Sequence, residues 1–217
     1  MLRKSFYWLF SFAFFLLRTS SGQAQENGLN FLSIGSQHGL SSNKVTSIIK
    51  DSFGYLWFGT NDGLNKYDGI NFTVYRHRED EPNSILSNEI RDLYEDPQGN
   101  LWIGTGGGLT LFNRKLNTFI HHNKSYSETV ISINSSPTKG LWLGTYDGLL
   151  SFEPSSGIIK PVRLKNSSSQ QAISATVVDI FEDKSGRTWL ATNQGLYLHS
   201  PREGRFVHFL SSADQNS

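Results

Sequence analysis

Cysteine is absent from the 217 residues, which excludes thiolate nucleophiles, disulfide staples, cysteine-ligated zinc and a lipobox, and leaves the redox compartment unmarked. An excess of one charge is missing too. With 20 Lys and Arg against 19 Asp and Glu, neither a basic stripe for nucleic acid nor an acidic tail can be assembled. Long apolar runs are also lacking: the longest, Phe6 to Leu17, holds about 12 residues against the roughly 20 that a bilayer span needs. Aromatic side chains and turn formers are plentiful. At 13% aromatic residues and 20 glycines, the composition suits an all-β chain that buries large rings between tight turns.

Arg3 and Lys4 form a charged start, the apolar run follows, and Thr19 to Ala24 supplies small and polar residues with Gly22 and Ala24 placed like a cleavage site. Residues 1–24 therefore read as a signal peptide cut after Ala24. An uncleaved membrane anchor is the alternative, disfavoured by the shortness of the run. The expectation is an exported chain, soluble once cut.

A tryptophan opens the same short phrase in four places: Trp57-Phe-Gly-Thr-Asn-Asp-Gly-Leu64, Trp102-Ile-Gly-Thr-Gly-Gly-Gly-Leu109, Trp142-Leu-Gly-Thr-Tyr-Asp-Gly-Leu149 and Trp189-Leu-Ala-Thr-Asn-Gln-Gly-Leu196. The steps between tryptophans are 45, 40 and 47 residues, the period of a propeller or array. In the first unit Val45 to Lys50 alternates over a strand length, the turn Asp51-Ser-Phe-Gly54 follows, and Leu56 to Thr60, Leu64 to Tyr67 and Phe72 to Tyr75 read as three more strands. In that turn the carboxylate can bond nearby backbone N–H groups while glycine tolerates positive φ. Asp96-Pro-Gln-Gly99 and Asp183-Lys-Ser-Gly186 repeat it; Ser136-Pro-Thr-Lys-Gly140 departs, closing one residue earlier before its tryptophan. Fourth strands recur at Thr118 to His122, Ile158 to Leu164 and Arg205 to Phe209, and Pro161 assigns its strand to an outer edge.

Four antiparallel strands per unit joined by tight turns describe a propeller blade, with a β-sandwich as the alternative. The blades run over about 44–83, 84–125, 126–170 and 171–212, with Arg76 to Asn88 and the serine-rich Lys165 to Gln171 as surface crossings. Each motif tryptophan offers a flat face of roughly 150–250 Å² to the neighbouring sheet. Gly59, Gly104, Gly144 or Ala191, two residues on, shares that face and leaves room for the adjacent blade, while Gly63, Gly108, Gly148 and Gly195 form the hairpin tips. Tyr67, Phe112 and Phe152 are further packing residues, and His199 takes their place in the fourth unit. Ahead of the first blade, within residues 25–43, Asn30-Phe-Leu-Ser-Ile34 resembles a fourth strand without a blade of its own. An orphan strand beside four complete units implies the front portion of a longer chain, truncated partway around a ring.

Gly39-Leu-Ser-Ser-Asn43, Val45-x-x-Ile48, Asp51-x-x-Gly54, Leu56-Trp-Phe-Gly-Thr60, Asp62-Gly-Leu64 and Tyr67-Asp68 together resemble the two-component-regulator propeller repeat, best known in periplasmic sensor regions of Bacteroidetes hybrid histidine kinases. The resemblance covers roughly residues 30 to 210. It implies two seven-bladed propellers and a small β-sandwich outside the inner membrane, followed by a transmembrane helix, kinase core, receiver and often a DNA-binding output. It also implies an oligosaccharide stimulus and a homodimer through the complete sensor region. Catalysis and membrane attachment would then belong to parts outside this sequence, and this segment would need no cofactor and touch no nucleic acid.

No metalloprotease, P-loop or nucleophile-elbow motif occurs. His121 and His122 are adjacent and face opposite sides of a strand, so they cannot chelate one ion together. Gly104-Thr-Gly-Gly-Gly108 occupies a hairpin position and reads as a turn, not a phosphate loop. Asp62, Asp147, Glu89, Glu95 and Glu182 sit at turns or strand ends, as solvated charges do. Propellers bind ligands at the ends of their central channel. The loops entering the first strands therefore supply the candidate ligand residues Ser42, Asn43, Lys44, Asn88, Glu89 and Arg91, with Arg76 and His77 behind them. A streptogramin-lyase-like enzyme, needing a metal-supporting His and Glu in the channel, and an exported scaffold or adhesion propeller remain as alternatives.

Overall fold

The computed structural model describes residues 31–122, 128–137, 140–162, 165–166, 169–172, 175–200 and 205–209. The signal peptide and Asn30 lie outside them. The chain divides into two units, Met1–Ser33 and Ile34–Ser217. Phe31 to Ile34 belong to no strand, and Phe31 and Leu32 are exposed. The fourth-strand-like sequence stays irregular because a strand is held by a ladder partner.

The second unit contains four antiparallel sheets of four strands, each in simple chain order. The first blade is β1 Val45–Lys50, β2 Leu56–Thr60, β3 Gly63–Tyr67 and β4 Phe72–Tyr75, preceded by a 3₁₀ turn at Ser36–His38. The second is β5 Ile90–Glu95, β6 Leu101–Thr105, β7 Gly108–Asn113 and β8 Thr118–His121. The third is β9 Ser132–Ser135, β10 Leu141–Gly144, β11 Leu149–Glu153 and β12 Ile158–Val162, with Pro161 on the edge strand as its missing N–H requires. Next come β13 Lys165–Asn166 and β14 Ser169–Ala172, which pair as a small ladder where the serine-rich sequence suggests a plain loop. The fourth blade is β15 Val177–Glu182, β16 Thr188–Thr192, β17 Gly195–Ser200 and β18 Arg205–Phe209.

The conserved phrase folds the same way in every blade. The motif threonine at 60, 105, 145 and 192 donates its hydroxyl to the carbonyl of the hairpin glycine three residues on, at 2.7 to 3.0 Å. Those glycines hold φ between +114° and +141°, the left-handed region that a Cβ disfavours. One turn earlier, Asp51 Oδ1 accepts the Phe53 and Tyr55 amides and Oδ2 accepts the Trp57 indole N–H at 2.7 Å. Asp96 and Asp183 receive the indoles of Trp102 and Trp189 in the same way. Ser136 occupies this position in the third blade. Its turn keeps the frame of the others, with the Ser136 amide bonding the Gly140 carbonyl, so the turn closes at the same place and only the acceptor is lost. Trp142 Nε1 is buried with no partner among the described residues.

The first strands lie innermost: β1 packs on β5, β5 on β9 and β9 on β15, with no comparable packing from β15 back to β1. Each blade therefore has a trailing face, carrying its tryptophan, and a leading face that meets the tryptophan before it. Trp57 packs edge-on against Phe112, Trp102 against Phe152, and Trp142 against His199 and Phe206. Three separate apolar cores fill these three interfaces. The notches at Gly104 and Gly144 are necessary: an added Cβ would stand 2.7 Å from the carbonyl oxygens of Val130 and Val177 in the next blade.

Candidate functional site

At one end of the blades, the loop entering each first strand meets the β2–β3 type hairpin of the blade before it. Gly63 donates its amide to the Asn88 carbonyl at 2.8 Å, and the Val130 and Val177 amides donate to the Thr105 and Thr145 carbonyls; within the second blade, Gly106 donates to the Glu89 carbonyl at 2.9 Å. Asn88 Oδ1 accepts the His77 amide at 2.7 Å, which ties the Arg76 to Asn88 crossing to the start of β5. Arg91 pairs with Glu89 at 2.6 Å and Arg76 with Asp62 at 2.9 Å. The carboxyl of Asp62 lies below its ordinary range because Arg76 donates to it. All four side chains remain partly open to solvent.

Asn88, Glu89 and Arg91 thus converge with Asp62 and Arg76 on one rim. Arg91 Nε is buried without a hydrogen-bond partner among the described residues. Ser42, Asn43 and Lys44 stand at the entry to β1 in a local turn, where Ser42 Oγ accepts the Lys44 amide and Asn43 Oδ1 accepts the Ser36 amide. His77 is exposed, with its Nδ1 at 2.8 Å from the Ile85 carbonyl oxygen. A cleft of about 510 Å³ opens beside Tyr75, Arg76, Arg78 and Asn117, and one of about 730 Å³ between the second and third blades beside Asn100 and Glu153. None of the six predicted residues lines them.

A polar row along the innermost strands was not anticipated. Ser47, Asp92 and Asp179 occupy the third position of β1, β5 and β15 and Ser132 opens β9, each ten residues before its motif tryptophan. The constant offset from the tryptophans, with serine and aspartate alternating, is the signal that identifies them. Asp92 Oδ1 accepts the Ser47 hydroxyl and its own neighbour's amide, while Oδ2 accepts the Ile133 amide of the following blade at 2.8 Å. Ser132 repeats the arrangement, accepting the Ile180 amide at 3.1 Å and lying 3.4 Å from Asp179 Oδ1. Burial pushes the Asp92 carboxyl up, against these hydrogen bonds, and the charge of Asp179 adds to the rise. Among the described residues no three His, Asp or Glu side chains stand together so as to hold a metal ion, and no helix is long and apolar enough to cross a membrane.

The pattern of the two component regulator propeller family matches residues 39–62 and 84–107, the phrases of the first two blades. A histidine kinase of Formosa agariphila, kinase P4, is 40% identical over 77 residues, covering 36% of this chain and 6% of the kinase. The extracellular domain assigned to the hybrid two component system BT3049 of B. thetaiotaomicron superposes with a TM-score of 0.68 at 29% identity, over 82% of this chain and 26% of that one. Virginiamycin B lyase from Staphylococcus aureus, at 13% identity and a TM-score of 0.59 over 78% of this chain and 56% of the lyase, shares the fold alone. The chain spans only a small part of the kinase and about a quarter of the extracellular domain. The pattern of that family thus lies on the first two blades, and the Trp-x-Gly/Ala-Thr phrase it includes recurs in all four sheets.

Proposed function

We propose that this chain is the extracytoplasmic sensing propeller of a two-component histidine kinase and recognises an oligosaccharide. The observation that carries the reading is the 29% identity across four-fifths of the chain to the extracellular domain of a hybrid two-component system. The signal-like first 24 residues support export to the periplasm. The rim of Asn88, Glu89, Arg91, Asp62 and Arg76 suits a sugar, because paired carboxylates and guanidinium groups at partial exposure can exchange their mutual bonds for hydroxyl groups. In this reading phosphotransfer belongs to the parent kinase, and this chain converts ligand binding into a change in blade packing.

Thermal unfolding of residues 25–217, measured against a panel of neutral and sulfated oligosaccharides, tests the proposal. At least one sugar is expected to raise Tm, and Asn88→Ala or Glu89→Ala to weaken that sugar by roughly tenfold or more, the scale of one lost charge-assisted hydrogen bond. A sugar bound equally well by both variants moves the site off this rim. No response to any sugar, together with turnover of a streptogramin, would favour the lyase reading.

A further inference from the structure

The crossing from the first blade to the second is exposed throughout residues 76–83, yet its backbone is held at several points. The Arg78 amide donates to Ser84 Oγ at 3.0 Å, and that hydroxyl donates back to the Arg78 carbonyl. The Glu81 amide bonds the Arg78 carbonyl and the Ser84 amide bonds the Glu81 carbonyl, closing two tight turns. From β8 the Phe119 amide donates to the Asn83 carbonyl at 3.0 Å, and His121 Nε2 lies 2.8 Å from the Ser84 carbonyl oxygen. Ile85, fully buried, anchors the return. A charged surface loop fastened in this way loses little further conformational entropy when it binds something.

Together with β4 and the β7–β8 turn, this loop walls the cleft of about 510 Å³, within the roughly 300–1,000 Å³ of small-ligand sites. The cleft spans two blades: the Tyr75 hydroxyl donates to Asn117 Oδ1 at 2.7 Å, and Asn117 holds φ at +54°, a conformation that asparagine adopts more readily than most residues. Asn117 Nδ2, the Asn83 amide group and the Asp80 carboxylate, all at the lining, have no hydrogen bond among the described residues. The positive charges are already matched. Arg76 holds Asp62 at 2.9 Å and Arg78 holds Glu81 at 2.6 Å, whereas Asp80 has no basic partner among the described residues. No cation is therefore left over for a sulfate, phosphate or carboxylate group.

We propose that this cleft binds a neutral saccharide unit and extends the rim, with Arg76, bonded to Asp62 and lining the cleft, belonging to both. The proposal rests on the oligosaccharide reading above and narrows it to uncharged sugars. Hydroxyl groups of a sugar ring both donate and accept; Asp80 can only accept, and the two asparagine amides do both, so the open groups of the cleft match such a ring. An anionic substituent would instead meet Asp80 and Glu81 with no free counter-charge, which selects against it. Because the lining comes from both blades, a sugar held there would also bridge them.

Isothermal titration of the purified chain with cellohexaose, xylohexaose and mannohexaose, and with a sulfated carrageenan oligosaccharide, tests the site. Asn83→Ala removes an exposed amide and leaves the backbone carbonyl that holds Phe119; Asn117→Gly keeps the positive φ without strain. Each is expected to weaken the tightest neutral sugar by about tenfold, and Asn83→Ala to leave Tm unchanged. A neutral sugar weakened by Glu89→Ala but by neither cleft variant would overturn this site and leave the rim reading standing. Tighter binding of the carrageenan oligosaccharide would overturn the uncharged class. Absence of heat with every sugar would overturn this site and the oligosaccharide reading together.

Discussion

Asp51 shows how much one side chain can carry. It accepts two backbone amides, the Trp57 indole and Arg114 Nη1, the last two at 2.7 Å, and its side chain is fully buried. Burial alone would raise its pKa, but the Trp57 and Arg114 hydrogen bonds hold it below the usual carboxylate range. Arg114 also reaches Glu95 and the Gly99 carbonyl, so this cluster joins the first two blades at the end opposite the rim. Asp51→Asn is expected to cost about 2 kcal/mol at neutral pH, because it leaves Arg114 with only Glu95 of its two carboxylate partners and weakens the acceptor of the Trp57 indole. A lowered folded pKa contributes stability above the unfolded value of about 3.9 that is lost as pH falls through the folded one. Denaturant unfolding of wild type and variant should therefore converge toward acid pH. The turn itself was legible from Asp-x-x-Gly. Its indole bond and Arg114 were not, since the first needs the strand's return and the second comes from 63 residues away.

Among the elements, the third blade departs from the rule and so tests it. Trp142 is packed like its counterparts, yet its N–H has no acceptor among the described residues, serine standing where the others have aspartate. Ser136→Asp should place a carboxylate at the indole and raise stability by about 1 kcal/mol, the net worth of one hydrogen bond, read as a higher Tm. Gly144→Ala should do the reverse and cost about 1–3 kcal/mol by overpacking, since the clash is with backbone. Gly148→Ala is a weaker comparison because that position strains φ without meeting an atom within 4 Å. The strand boundaries were largely readable from alternation and turn glycines: β1, β2, β4 and β18 fall where the sequence places them. The ladder of β13 and β14 was not, because short serine-rich strands carry no hydrophobic period. The candidate rim was legible only as a location. The phrase spacing marks the loops, but the pairing of Glu89 with Arg91 and the bond from the His77 amide to Asn88 depend on how the crossing folds back.

In the molecule as a whole, four blades stack side by side through their innermost strands, and among the described residues the first and fourth are not packed together. The repeat period announced the blades, and the tryptophan phrase their packing. The open ends show in exposure: Trp57 is fully buried, whereas the Trp189 face lies open beside Phe181. The native absence of cysteine makes disulfide trapping decisive, because only introduced thiols can react. Oxidation of Ser47→Cys/Asp92→Cys, whose native side chains touch at 3.1 Å, should give an internal crosslink. The same treatment of Ser47→Cys/Asp179→Cys, read by non-reducing electrophoresis, is the measurement to make. The account predicts no crosslink within a single chain for that pair. Rapid formation of an intramolecular disulfide between positions 47 and 179 would mean that the four blades close on themselves, and would contradict it.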